Sequence, residues 1–334
     1  MTDGRSGARA SGSAVRRRPD VVHVGAASRD LTEDDPRGWR LGGGVTYCAL
    51  TTARLGLRTA AVVGVDPEAS AAPELDLLRA AGVELRLVPL EHGPIFHNLE
   101  TPSGRVQTCL DAGVALPVPS MPDAWAAAAA WVLAPVAGEV GDAWLAAVPD
   151  GAFVAVGWQG LLRVLAPGER VARHPPGSSR LLRRADLVGV SHHDVDPETR
   201  LETLGALLRP GARLLVTQGH EGGLLVTVVA GGIDGGLRYR PIRTSREVDP
   251  TGAGDTFLAA LVATVVSPGL GEPGSHRGEL DLRFAAAAGS LIVEGPGLAG
   301  VPDRAAVLER LLRDEGGPSV LPSRADRVGS HGEG

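Results

Sequence analysis

The chain of 334 residues contains no lysine, and all 33 of its basic residues are arginine. That excludes the phosphate-binding loop that ends in Gly-Lys-Ser/Thr, whose lysine reaches the phosphates. Any phosphate held here must be met by arginine, by backbone N–H groups or by a helix N-terminus. Cysteine is nearly absent too. Cys48 and Cys109 stand far apart, neither with a partner at metal-ligand spacing, so a disulfide scaffold and a zinc ribbon are excluded and a reducing, cytoplasmic setting is expected. Basic charge is not in excess. The formal net charge of −6 argues against nucleic acid as a partner. No apolar run approaches the roughly 18 residues of a membrane-spanning helix, so no membrane partner is expected. Aromatic residues make up only 3% of the chain, which limits any pocket built to stack a nucleobase.

What is present is small, apolar and rich in turns: 43% hydrophobic residues, 46 glycines and 25 prolines, enough for one large core. Residues 1–19, with Arg16-Arg17-Arg18, and residues 315–334 have the polar, Gly/Ser/Arg composition of disordered tails. Between them, residues 20–314 read as one domain. Residues 20–25 form a buried first strand, and residues 26–41 a loop carrying Asp30, Glu33, Asp34 and Asp35. Gly42-Gly43-Gly44 opens a helix over 45–55, closed by Gly56. A strand at 60–65, a helix at 73–81 and a strand at 83–88 follow. Two alternating runs, 95–100 and 105–110, flank Thr101-Pro102-Ser103-Gly104 and predict a β-hairpin more polar than the other strands.

From Trp131 onward, short apolar runs at 131–134, 153–156, 187–190 and 214–217 alternate with helical stretches such as 141–147 and 198–208. That is the pattern of a parallel sheet covered on both faces. A second hairpin is expected from 226–230 and 238–241, and further helices at 282–292 and 304–313. Ligands of such sheets bind beyond the carboxyl ends of the strands. The loops there are 25–30, 42–44, 191–194, 218–223 and 249–255, and glycines and acids cluster in these same loops.

The last of them is the most informative. Asp249-Pro250-Thr251-Gly252-Ala253-Gly254-Asp255-Thr256-Phe257 runs into a stretch of helix formers. A glycine-rich loop feeding a helix N-terminus offers free N–H groups and the positive end of a dipole, a place for phosphate. Asp255 stands inside it, as a helix cap or as a base.

The stretch resembles the second signature of the ribokinase/PfkB family of carbohydrate kinases. Gly42-Gly43 with Ala53-Arg54-Leu55-Gly56 is similar to the family's N-terminal Gly-Gly helix. Thr217-Gln218-Gly219-His220-Glu221-Gly222 is similar to its Thr-x-Gly-x-x-Gly nucleotide loop. The resemblance spans about residues 21–302. It implies an α/β fold, a three-layer α/β/α sandwich with a mostly parallel central sheet and a small β lid, its elements near 29–41 and 95–111. It implies phosphoryl transfer from ATP to a small sugar or polyol. Asp255 would be the general base, with the N–H groups of Gly252, Ala253 and Gly254 as anion hole and the helix dipole favouring its ionised form.

Asp30, Gly42, Gly43 and Asp249 would hold the substrate, with Asp249 also a candidate for positioning a monovalent cation. Ser191, Thr217, Gly219, Gly222, Thr251, Gly252 and Gly254 would line the nucleotide. Asp194, the acid of the family's Asn-x-x-Glu motif, would act on Mg²⁺ through water. Adjacent His192 and His193, taken as strand residues, would point to opposite sides and make a poor zinc site.

Substrate choice is read from the lid and the middle of the chain. Asn98, Arg105 and Gln107 alternate with apolar residues, and Arg105 and Gln107 share one face of the hairpin. Gln159-Gly160-Leu161-Leu162-Arg163 is similar to the Gln-Gly-x-x-Arg stretch of a subgroup that includes myo-inositol kinases, so Gln159 and Arg163 are candidates and an inositol-like cyclitol is favoured. The alternatives are a nucleoside kinase, needing a wall from Trp39, Tyr47, Phe96 and Trp158, and a catalytically weak sugar-binding homologue. The latter is motivated by Tyr47, Ser191 and Ala286, which replace asparagines of the family. Either a monomer or a homodimer fits.

Overall fold

In the computed structural model, residues 18–101, 104–270, 279–314 and 320–322 are described. The expected tails, 1–19 and 315–334, lie almost wholly outside them, as do residues 271–278.

The apolar runs become strands because their side chains alternate between two layers that both need filling. β1 (Val21–Ala26) is buried along its whole length. β2 (Ser28–Leu31) and β3 (Trp39–Gly42) follow, then α1 (Gly44–Arg54), β4 (Thr59–Val65), α2 (Pro67–Ser70), α3 (Glu74–Ala80) and β5 (Glu84–Pro89). β6 (Pro94–Thr101) and β7 (Gly104–Ala112) form the predicted hairpin. β8 (Ala130–Leu133), β9 (Phe153–Gly157), the short β10 (Arg163–Val164) and β11 (Ala172–Arg173), α4 (Arg180–Arg184), β12 (Leu187–Ser191), α5 (Leu201–Gly205) and β13 (Arg213–Thr217) continue the alternation. β14 (Gly223–Val229), β15 (Gly232–Tyr239), α6 (Ala253–Val266), α7 (Glu279–Ile292), α8 (Arg304–Arg313) and β16 (Val320–Pro322) complete the order.

One sheet runs β16-β15-β14-β13-β12-β9-β8-β1-β4-β5. From β13 to β5 every neighbouring pair is parallel, and β14 to β16 extend it antiparallel. Val22, Val24, Leu133, Val154, Val156, Val188 and Val190 face a layer that holds Trp144 and α4 and α5. Val21, Val132, Ala155, Leu187 and Leu215 face α6 and α7. This is the three-layer α/β/α sandwich.

Several expectations are corrected. Residues 26–41 are not a plain loop, because β2 and β3 pair as a hairpin and join β6 and β7 in a separate four-stranded sheet, the lid. Residues 141–147 make only a short 3₁₀ turn, Asp142–Ala146, and the helix expected over 198–208 is reduced to α5. The second hairpin is longer than expected: its strands close on Ala230 and Gly231, where a φ of 87° suits glycine alone.

Two ionic groups tie the lid to the sandwich. Arg29 of β2 donates from Nε to Asp66 Oδ2 at 2.9 Å, and buried Asp66 also caps α2 through the N–H of Ala69 at 2.7 Å. Arg37 pairs with Glu74 of α3, whose Oε1 also accepts the N–H of Leu41 at 3.1 Å. Asp66→Ala removes a cap and leaves Arg29 without its buried acceptor. A loss of about 2 kcal/mol is expected, read from the denaturant midpoint at constant m.

Candidate functional site

The carboxyl ends of β1, β8, β9, β12 and β13 all open on the side where the lid sits, and the predicted loops meet there. α6 begins at Gly252, in the left-handed region with φ 80°, and no side chain caps it. Asp255 is therefore the third residue of the helix, and the cap role is corrected. Its carboxylate lies against the start of α1: a Cβ on Gly44 would fall 2.7 Å from Asp255 Oδ1, so only glycine leaves it room. Burial pushes the Asp255 pKa up to about 6, against the pull of Arg163, with Asp194 pushing the same way as burial. The helix dipole was expected to favour the ionised form, but desolvation outweighs it.

Arg163 is the cation of this region. It donates from Nη1 to the carbonyl of Val136 at 2.9 Å and lies over the ring of Phe96, 5.2 Å from its centre. Burial pulls its pKa down, while the nearby charges of Asp194, Asp30, Asp255 and Glu139 oppose that. Asp30, Asp194 and Asp255, widely separated in sequence, thus converge on one guanidinium. Gln159 reaches Asp194 Oδ1 at 3.5 Å, at the edge of hydrogen-bond range.

Asp30 packs on Gly42, where an added Cβ would fall 2.9 Å from Asp30 Cγ, and it accepts the hydroxyl of Ser28 at 3.0 Å. Gly43, with φ 96°, turns the chain into α1. On the lid, Gln107 Nε2 donates to Asn98 Oδ1 at 2.7 Å. The register places Phe96, Asn98, Gln107 and Cys109 on one lid face, and Phe96 and Cys109 are buried. Arg105 stands opposite Glu100 in the ladder, and its side chain lies outside the described residues.

Ser191 and Thr217 are paired at the ends of β12 and β13. The following turns, His192–Asp194 and Gly219–Glu221, therefore lie side by side. The histidines are not strand residues as expected: their rings stack with centroids 3.8 Å apart, and His192 Nδ1 meets the carbonyl of Thr217 at 3.1 Å. Burial lowers the His193 pKa, as do His192, Arg173 and His220, against Asp194. Gly219 and Gly222 both have positive φ and close the Thr217 loop, with Gln218 N–H bonded to the Gly222 carbonyl at 2.8 Å.

Asp249 spans two loops. Its Oδ1 accepts the N–H of Thr251 and its Oδ2 that of Gly297, each at 3.0 Å. The carboxylate thereby sets the shape of the loop that leads to Gly252. Among the described residues, no three His, Cys, Asp or Glu side chains form a metal-ligand set. Half-buried Asp194 suits a magnesium ion brought in by phosphates and water, not one caged by protein.

Sequence reasoning missed Ser28, Gly44 and Glu139. Buried Glu139 takes N–H groups from Ala26 at 2.8 Å, from Val136 at 3.1 Å and from Ala137 at 2.8 Å, joining the ends of β1 and β8. The only signal for it was an acid in a glycine-bearing loop after an apolar run.

A mostly parallel sheet covered on both faces, with a separate small β sheet as lid, is a ribokinase-like fold. Solved structures agree on the fold. Arabidopsis thaliana ribokinase complexed with ribose and ATP is 22% identical, with a TM-score of 0.58 over 88% of this chain and 98% of that one. A pyrophosphate-dependent kinase of the ribokinase family, complexed with a pyrophosphate analog and myo-inositol, is 21% identical with a TM-score of 0.60 over 87% and 99%. A nucleoside kinase from Methanocaldococcus jannaschii is 16% identical with a TM-score of 0.61 over 89% and 99%. In sequence, residues 182–304 match the model of the pfkB family carbohydrate kinases. A 71-residue stretch is 48% identical to an Arabidopsis thaliana ribokinase, 21% of this chain and 17% of that protein's length. Residues 182–304 thus match the pfkB family of carbohydrate kinases, and the fold is that of ribokinase-family structures.

The raised Asp255 pKa has a thermodynamic sign. Between the ordinary value of 3.8 and about 6 the folded state holds the proton more tightly, so stability falls as pH rises through that window. Asp255→Asn is expected to raise Tm at pH 7.5 and to change it little at pH 3.5. Equal shifts at both pH values would contradict the buried, ionised acid.

Proposed function

We propose that this protein transfers the terminal phosphoryl group of ATP to a hydroxyl of a small sugar or polyol, an inositol-like cyclitol being favoured. The observation that carries the reading is Asp255, half-buried beside a glycine-lined helix start and facing the charge of Arg163. In the proposed step Asp255 accepts the hydroxyl proton while the substrate oxygen bonds to the terminal phosphorus, and the bond from that phosphorus to the bridging oxygen breaks to release ADP. The N–H groups of Gly252, Ala253 and Gly254 meet the charge spread over the transferring group. Magnesium, when bound with the donor, neutralises phosphate charge. Asp30 and the Asn98–Gln107 pair offer acceptors and donors to several hydroxyls, and Arg163 one more donor face.

The distribution of aromatic rings supports a polyol over a nucleoside. Tyr47 and Trp158 are buried at 2% and 1% exposure, and Phe96 lies beneath Arg163. The guanidinium groups of Arg29 and Arg37 both approach the Trp39 ring, 5.7 and 4.6 Å from its centre. Each of the four rings that a base would need is already occupied. The outer edge of β7 is also filled by the chain itself: Cys109 N–H bonds to Glu169 O at 2.9 Å and Val171 N–H to Gln107 O at 2.8 Å. That favours a monomer over a dimer paired at this edge. No helix among the described residues is long and apolar enough to cross a membrane, and Cys48 and Cys109 are free and buried, which suits a reducing cytoplasm.

A second donor has specific support. His192, His193, His220 and Arg173 gather where the donor's phosphates would lie, and such a group suits a compact, highly charged donor such as pyrophosphate, which one structural neighbour uses.

The test is a panel of inositols, sugars and nucleosides with ATP·Mg²⁺ and, separately, pyrophosphate·Mg²⁺, followed by phosphate-ester formation. Turnover is expected with a cyclitol or sugar and not with nucleosides. Thermal shifts by ligands without turnover on any acceptor would favour the sugar-binding alternative instead. With the preferred acceptor, kcat/KM is expected to fall as pH drops below about 6, the Asp255 value, because the protonated acid cannot accept the hydroxyl proton. A rate flat down to pH 4.5 would remove Asp255 as the base.

A further inference from the structure

α1 presents one helical face to α6, and four residues on it touch the phosphoryl loop or the turn that follows. Gly44 meets the Asp255 carboxylate. One turn on, the ring of Tyr47 lies against Gly252: a Cβ there would fall 2.6 Å from Tyr47 Cε1 and equally close to Cγ. Cys48 Sγ reaches the backbone carbonyl of Asp255 at 3.4 Å, and Thr51 Oγ1 reaches Thr256 Oγ1 at 3.4 Å. Positions 44, 47, 48 and 51 are spaced as i, i+3, i+4 and i+7, a single stripe.

Tyr47 is 2% exposed, so its ring is a floor beneath the loop and not a wall of the substrate site. Its hydroxyl end points to the neighbouring loop, 3.7 Å from where a Cβ on Gly297 would stand. The N–H of Gly297 is held by Asp249, and Val248 and Asp249 N–H both bond to the carbonyl of Val293, at 2.7 and 3.1 Å. The loop from 248 to 252 is thus fixed from above by backbone bonds and the Asp249 carboxylate, and from below by one aromatic plane. Gly252, at φ 80°, has no side chain with which to fix itself.

We propose that Tyr47 is a positioning residue: its ring sets the height of Gly252 and so aims the N–H groups of the anion loop at the transferring phosphoryl. The proposal rests on the phosphotransfer reading above. It also accounts for an aromatic residue at a place where the family carries an asparagine. A planar ring packed on a Cα without side chain tolerates little displacement, whereas an amide at this depth would need buried partners of its own.

The test compares Tyr47→Phe, Tyr47→Leu and Tyr47→Met, with thermal unfolding followed in parallel. Phe keeps the plane and is expected to hold kcat within about twofold. Leu and Met keep apolar volume but lose the plane, and kcat is expected to fall about 100-fold while the acceptor KM stays within about threefold, the mark of misplaced transition-state donors. If Leu does not fold, Met carries the comparison. Wild-type kcat in a folded Leu or Met variant would overturn the proposal, as would a rise in KM alone or an equal loss in Phe.

A second readout does not need turnover. Tungstate binding, measured by calorimetry, is expected to weaken at least about tenfold in the Leu variant and to be retained in Phe. Should the wild-type protein phosphorylate nothing yet bind tungstate with an affinity that depends on the Tyr47 ring, the phosphotransfer reading fails and the positioning role stands. Equal tungstate affinity in wild type and Leu, or none in the wild type, overturns the positioning role.

Discussion

The packing of α1 on the first turn of α6 is the contact on which the rest of the site depends. A carboxylate at the third position of a helix ordinarily faces water. Here it is brought against a second helix start, and the contact is possible only because Gly44 offers no side chain. The same approach carries Tyr47 beneath Gly252 and Cys48 to the carbonyl of Asp255. Close helix–helix approach, glycine at both helix starts and desolvation of one acid are a single arrangement. Desolvation is what lifts the Asp255 pKa to about 6 and makes it a better base than a solvated aspartate.

Charge balance follows from that burial. In a chain without lysine, one arginine faces the site's acids. Arg163 is anchored by the carbonyl of Val136, and the N–H of Val136 is held by Glu139, which also takes the N–H of Ala26 at the end of β1. A guanidinium with a fixed plane is suited to this, since several acids can approach it from different directions. The lid completes the enclosure by different means. Its hairpin is clamped to α2 and α3 through Arg29–Asp66 and Arg37–Glu74, and its far edge is covered by residues 168–171. The proposed acceptor site is thereby roofed by a sheet tied down at both margins.

Much of this was legible in the sequence. The apolar runs that became β1, β4, β8, β9, β12 and β13 are short and bounded by turn residues, and a two-sided buried strand needs little more. The glycine-rich stretch before α6 announced a helix start because its chemistry is local. The errors fell where tertiary packing overrides local pattern. The stretch at 26–41 looked like a loop because β2 and β3 are only four residues each, carry Arg29, Asp30 and Arg40, and pair only within the small lid sheet. The helix over 198–208 was overextended because Gly205 sits against Ile233 and the chain turns away to enter β13. The histidines after β12 were placed in the strand because nothing in their residue type marks where pairing ends.

The sequence by itself determined the three-layer fold and the identity of the loop that holds Asp255, because strand burial and glycine-rich helix starts are written in neighbouring residues. Tertiary structure alone decided that Asp255 is desolvated and not a cap, that the charges of Asp30, Asp194 and Asp255 all act on Arg163, and that the Tyr47 ring packs against Gly252. Each of these depends on groups tens to hundreds of residues apart coming together in the fold, and no local pattern encodes which face of one helix will close on the first turn of another.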